Sequence, residues 1–161
     1  MVELSFDNLW VEDDEGKLSL SRLPDSFEPE NQHIHGELVF KVEGVQLPYM
    51  GYFGDDDVCF NTWLYELIQV SKLNDNEEYI FDEGEQGQPA YKFHRRKNTL
   101  YISIIDSLLT GQLGDSEWQN KSCDFNQFKE ELDKLVCDFS TNLKKVSSSI
   151  SEKWMVNNVR T

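Results

Sequence analysis

From Phe125 onward, apolar side chains return at every third or fourth position: Phe125, Phe128, Leu132, Leu135, Phe139, Leu143, Val146 and Ile150. That period places them on one face of an α-helix, so the end of the chain is committed to a long amphipathic helix whose stripe must be covered. Its start is marked as well. Asp124 followed by Gln127 has capping-box spacing, and Cys123 with Phe128 stands at the two positions of a hydrophobic staple. The flanking charges do not repeat as regular e and g pairs, so the stripe is expected to pack on the protein's own sheet rather than in a coiled coil. Ser147, Ser148 and Ser149 weaken the last turns, and residues 156–161 are expected to fray.

What the helix covers is written upstream in a different period. Val2, Leu4 and Phe6 alternate within an expected strand over residues 2–11. Acidic residues 12–16 turn the chain into a returning strand over 17–23, and Pro24 and Pro29 mark residues 25–32 as a loop. Over residues 36–42, Leu38, Phe40 and Val42 share one face against Glu37, Lys41 and Glu43, as a half-buried antiparallel strand requires. Glu43-Gly44 makes a two-residue hairpin turn into an arm over 45–53, in which Pro48 and Gly51 mark an edge with a bend. Phe60, Trp63, Leu64, Leu67, Ile68 and Ser71 then fall on one face of a helix over 60–73, with Asp57 or Asn61 as its cap. Short extended segments follow at 79–82 and 91–95. Residues 99–106, with Leu100, Ile102 and Ile104 together, form the best central strand, and another extended stretch is expected near Trp118 within 114–122. The fold class is therefore α+β: a mainly antiparallel sheet in the order β-β-β-β-α-β-β-β-β-α, with one mid-chain helix and a long C-terminal helix packed on the sheet. At 161 residues the chain suits one domain, over 1–155.

Charge narrows the class of partner. Residues 1–90 carry 21 acidic and 4 basic side chains, whereas residues 91–161 carry 9 and 11. A net charge of -15 repels nucleic acid and anionic membrane surfaces at long range, so neither is expected as a direct partner. Ten Phe, six Tyr and four Trp argue against disorder. The first residues show no signal peptide, no apolar run approaches a membrane span, and Cys59, Cys123 and Cys137 form neither a disulfide framework nor a C-x-x-C zinc pattern. A reducing cytoplasm is the expected location.

Few residues announce chemistry. Asp55, Asp56 and Asp57 offer clustered oxygens but lack the alternating spacing, central glycine and closing Glu of an EF-hand, so they are read as charges near a helix start or presented to a partner. His33 and His35 point the same way if extended, yet no third ligand is close in sequence, and no metal or cofactor is expected. The cysteines sit beside apolar positions and read as packing residues. Nucleotide-loop and nucleophile-elbow motifs are absent from the sequence, so no catalytic residues are assigned. His94-Arg95-Arg96-Lys97 is read as a hairpin tip or a partner for the protein's own carboxylates.

With Gly36-Glu37-Leu38-Val39-Phe40 opening a hairpin, Trp63-Leu64-Tyr65-Glu66-Leu67 on a helix after an acidic loop, and the closing helix from Phe125 to Phe139, the chain resembles the small acidic immunity proteins of bacterial polymorphic and contact-dependent toxin systems. The resemblance implies a non-catalytic cytoplasmic protein that binds a cognate toxin domain, often a basic nuclease, and blocks its active site or substrate groove. The expected binding face takes its charge from Glu12, Asp13, Asp14 and Glu15, from Asp55, Asp56 and Asp57, and from Glu77, Glu78, Asp82, Glu83 and Glu85. Tyr49, Tyr52 and Phe53 are its packing anchors. The competing expectations are a small enzyme assembled from Asp55, Asp56 and Asp57 with His33 or His35, or an adaptor that docks through an exposed helical stripe.

Overall fold

The computed structural model of the chain describes residues 1–14, 16–22 and 33–159. Glu15, Leu23 and the loop expected over 25–32 lie outside the described residues. The order is β1 (Val2–Asp13), β2 (Gly16–Ser19), a 3-10 turn (Leu20–Arg22), β3 (His35–Val42), β4 (Val45–Gln46), β5 (Val58–Cys59), α1 (Phe60–Ser71), β6 (Glu78–Phe81), β7 (Ala90–Arg96), β8 (Thr99–Ile105), β9 (Lys121–Asp124), α2 (Phe125–Val146) and α3 (Ser148–Asn158). The α+β class and antiparallel pairing are as expected, but the strands form two sheets. One runs β2-β1-β3-β4, with β5 also on β3, and the other is the meander β6-β7-β8-β9.

β3 fixes the first sheet. Ile34, Leu38, Phe40 and Val42 are buried, while His35, Glu37, Val39 and Lys41 turn outward. β1 pairs with it from Val2↔Val42 to Asp7↔Glu37, and the register then shifts so that Trp10 lies opposite His35. The extra residue is a bulge. Asn8 takes φ 51, in the left-handed region that Asn tolerates, and its side-chain amide donates to Glu37 Oε2 at 3.1 Å. The shift changes the inward parity of β1 from Val2 and Leu4 to Leu9 and Val11, all four of them buried. Without it, Leu9 and Val11 would face water at a loss of about 1.5–3 kcal/mol each, more than the roughly 1–2 kcal/mol cost of one left-handed residue. Gly36 permits the bulge: a Cβ there would lie 2.9 Å from both Asp7 O and Leu9 Cδ2.

The β3–β4 turn has φ 50 at Glu43 and φ 79 at Gly44, the signature of a type I′ hairpin. The arm expected over 45–53 ends at Gln46, because Pro48 supplies no ladder donor. The helix over 60–73 is found as Phe60–Ser71, with neither expected cap in use. Cys59 occupies the cap position without a side-chain capping bond, Asn61 Oδ1 accepts from Ile34 N at 2.9 Å, and Asp57 bonds elsewhere. The stretch expected around Trp118 is not a strand but meets β8 through the isolated bridge Ile104↔Asp115 and the bond from Ile104 N to Trp118 O, and the strand itself begins at Lys121.

The long closing helix starts as its sequence specifies, with Asp124 Oδ1 accepting from Gln127 N at 2.8 Å. Gln127 does not complete the capping box, since its side-chain oxygen accepts from Val2 N at 3.2 Å and ties the helix start to β1. The expected single helix is broken at Ser147. There the backbone is extended, the Ser147 N–H closes α2 on Leu143 O at 3.0 Å, and its hydroxyl accepts from Ile150 N to begin α3. Serines compete with helical bonding in this way and favour caps. α3 folds back along α2, where Ser151 Oγ donates to Ser140 O at 3.1 Å, and continues through Asn158 into the segment expected to fray.

The stripe is buried against the protein's own elements. Phe139 holds Phe6 of β1 at 5.4 Å, Phe60 of α1 at 5.2 Å and Trp154 of α3 at 4.9 Å between ring centroids. Trp63 on α1 meets Phe81 and Tyr91 of the second sheet, each at 5.0 Å. The basic run His94 to Lys97 forms the end of the β7–β8 hairpin, where Arg95 Nη1 donates to Leu73 O at 2.6 Å. Gly36→Ala is expected to destabilise the fold by about 1–3 kcal/mol through overpacking at the bulge. Urea unfolding checks this, and a change within 0.5 kcal/mol contradicts the tight approach.

Candidate functional site

At the end of the molecule where the β1–β2 hairpin meets the β4–β5 loop, β3 is paired on both edges at one level. Trp10↔His35 and His35↔Cys59 are register partners, which places three side chains from three strands in a row. The Trp10 and His35 rings stack at 4.6 Å with 21° between planes. Trp10 Nε1 donates to Asp56 O at 2.8 Å, and Lys17 Nζ lies 4.5 Å over the indole and 2.8 Å from Asp56 Oδ2. The Lys17 partner holds the Asp56 carboxyl below its usual value, and Asp56 in turn raises the Lys17 ammonium.

His35 is held from a third side by Asp57, whose Oδ1 lies 2.7 Å from Nδ1. Burial lowers the pKa of His35 from 6.5, outweighing the opposing charge and hydrogen bond of Asp57. A neutral imidazole facing a carboxylate carries its proton on Nδ1, which leaves the lone pair on Nε2. Tyr52 sets a ring edge against His35 at 6.1 Å, and its hydroxyl donates to Glu83. Burial first, then Glu83, raises the Tyr52 phenol far above its ordinary range, and burial also raises the Glu83 carboxyl. Cys59, 1% exposed, accepts a long 3.7 Å contact from Thr62 Oγ1, and burial pushes its thiol pKa upward. A protonated, enclosed thiol is a poor nucleophile.

The expected acidic face is divided by the fold. Asp55, Asp56 and Asp57 do not act as one cluster: Asp57 turns inward to His35, Asp56 pairs with Lys17, and Asp55 stays exposed beside a groove of about 340 Å³ under Tyr49 and Met50. Glu12, Asp13 and Asp14 are exposed at the β1–β2 turn, and the charge of Glu12 reaches His35. Glu77 and Glu78 belong to another region. Glu77 accepts from Asn74 N at 2.7 Å, and Glu78 lies 3.8 Å from His94. Asp82 is occupied internally by Ser107 Oγ at 2.6 Å and Leu108 N at 2.8 Å, while Glu85 is exposed.

The aromatic anchors divide too. Tyr52 is half-buried against His35, whereas Tyr49 is 51% exposed and Phe53 is 81% exposed. Phe53 is the tip of a tight turn in which Tyr52 N donates to Asp57 O and Asp57 N to Gly54 O. Gly51 closes that turn at a distance only glycine allows, since a Cβ would lie 1.8 Å from Gly54 O. The loop after β8 exposes residues to which the sequence pattern assigned no role: Leu108 at 95% exposed, Leu113 at 70%, and Leu109. Three loops converge here and are tied together. Tyr49 OH donates to Asp115 Oδ2 at 3.0 Å, Gln88 Nε2 to Gly51 O at 3.5 Å, and Thr110 Oγ1 to Gln88 O at 3.2 Å. A second groove of about 360 Å³ runs between Tyr49, Pro89 and Leu113.

Two kinds of chemistry therefore sit side by side: an apolar loop platform with acidic neighbours, and a polar group around His35. The separate roles of neighbouring aspartates can be measured. Asp57→Ala leaves the His35 donor without its acceptor and is expected to cost about 1–3 kcal/mol in urea unfolding at pH 7.5, whereas Asp55→Ala stays within about 0.5 kcal/mol. Equal effects contradict the division. Among the described residues no helix is long and apolar enough to cross a membrane. Comparison with protein-family models, curated proteins and solved structures finds no match for this chain.

Proposed function

We propose that the protein is a non-catalytic binding protein that docks a basic protein domain on its loop platform and neutralises it, in the manner of an immunity protein facing a toxin. The observation that carries this reading is the display of Phe53 and Tyr49 on one loop and Leu108 and Leu113 on another, with the two tied directly and through Gln88 of a third by hydrogen bonds. Large apolar side chains left in water on a braced surface mark an interaction site, and preordered loops reduce the entropy lost on docking. Asp55 and Glu85 are exposed on two of the same loops, in the part of the chain that carries the excess negative charge. Such a rim steers a basic partner and disfavours acidic ones. The adaptor alternative loses its basis, because the α2 stripe from Phe125 to Leu143 is buried against the protein's own elements.

Pull-down from the source organism's lysate, washed at low and then high salt, tests the reading. The expected result is a stoichiometric basic partner that carries a toxin activity, is inhibited by adding the purified protein, and is released at high salt. Phe53→Asp combined with Leu113→Asp is expected to weaken the complex by about thirtyfold or more, as loss of central anchors does. Asp55→Lys with Glu85→Lys is expected to slow association at low salt while leaving dissociation nearly unchanged. A partner retained equally by the Phe53/Leu113 variant, or one whose activity the protein leaves untouched, contradicts the proposal.

A further inference from the structure

We propose that His33, His35 and Cys59 form a binding site for a zinc-class divalent transition-metal ion, with Asp57 as the carboxylate that orients His35. One ring nitrogen from each histidine and the Cys59 sulfur lie within 4.8 Å of one another. The strand pattern produces this convergence. His35 and Cys59 are cross-strand partners, and His33 stands two residues from His35, on the same side of an extended chain. Tetrahedral zinc with Zn–N near 2.0 Å and Zn–S near 2.3 Å needs ligand atoms roughly 3.4–3.6 Å apart, so a closure of about 1 Å completes the site. His33 is exposed, while His35 and Cys59 are held by packing.

The surroundings are those a metal ligand set requires. Asp57 Oδ1 accepts the hydrogen bond of the His35 Nδ1–H and so leaves the Nε2 lone pair for a metal, the carboxylate–histidine arrangement that stands behind many bound zinc ions. Trp10 on the face of His35 and Tyr52 at its edge restrict both water and ring rotation. Charge also closes. A dication, one thiolate and the Asp57 carboxylate sum to zero, so the ion would remove the cost of burying Asp57 beside a neutral ring. Cys59 binds a metal as its thiolate, so binding releases a proton. Three protein ligands leave a fourth position for water or a partner's side chain. Because Asp57 and Tyr52 bracket the turn that carries Phe53, the ion would also fasten that turn to β3.

Titration of the metal-free protein with cobalt(II) tests the site. The expected result is one ion per chain, tetrahedral visible bands and a thiolate-to-cobalt charge-transfer band in the near ultraviolet, all displaced by zinc(II). Cys59→Ser removes the charge-transfer band, while Cys123→Ser and Cys137→Ser leave it in place. His33→Ala, at an exposed position, is expected to keep the metal-free unfolding midpoint and lose at least tenfold in affinity. Asp57→Asn is expected to lose at least tenfold in affinity through lost orientation of His35 and lost negative charge. Absence of one-to-one binding, a charge-transfer band that survives Cys59→Ser or disappears with Cys137→Ser, or unchanged affinity in His33→Ala overturns the proposal.

Discussion

The register of β3 is the constraint on which the rest of the molecule depends. Its even-numbered residues from Ile34 to Val42 face inward, and Phe40 meets Phe128 of α2 at 6.2 Å. A slip of one residue would move Leu38, Phe40 and Val42 into water and bring His35 and Glu37 into the core. No hydrogen bond offsets that exchange, because the ladder bonds re-form in either register while the burial of large apolar side chains does not. The odd-numbered face is consequently fixed as well, and on it His35 receives Trp10 from one neighbour and Cys59 from the other. The chemistry at the rim follows from the packing beneath it.

Two local departures from regular structure make the arrangement possible. The bulge at Asn8 restores the inward parity of β1 and turns Trp10 outward, onto the His35 ring. The break at Ser147 turns a helix that would overrun the sheet into two, so that Trp154 closes over Phe139. In each case a small backbone cost is offset by burying large side chains, of order 1.5–3 kcal/mol apiece. Phe139, touching β1, α1 and α3 at once, makes the layers one core.

Much of this was legible in the sequence and some was not, for reasons that can be named. The alternation over 36–42, the Glu43-Gly44 turn, the α1 face and the Asp124 cap are local signals, and the structure carries each. The change of apolar phase from Phe6 to Leu9 also stood in the sequence, but a phase change becomes a bulge only when a partner strand with a glycine opposite accepts it. The division of Asp55, Asp56 and Asp57 was invisible, because each is claimed by a different distant residue or by solvent. Cys59 is separated from His35 by the β3–β4 hairpin and an irregular segment over 47–57, so its place as cross-strand partner was a tertiary fact. The exposure of Leu108, Leu109 and Leu113 ran against their composition, since nothing in an apolar residue states that it will be held in water by braced loops.

The same end of the molecule thus combines an apolar platform for a partner with a histidine whose environment is set on three sides by Trp10, Asp57 and Tyr52. Long-range proton–nitrogen NMR of His35 in the metal-free protein tests this assembly most directly. A neutral ring at pH 7 with its proton on Nδ1, a titration midpoint below 6.5 and ring protons shifted upfield by the stacked indole is the predicted result. A His35 that carries its proton on Nε2, titrates at the ordinary value and shows no ring-current shift would contradict the register on which both the core and the site depend.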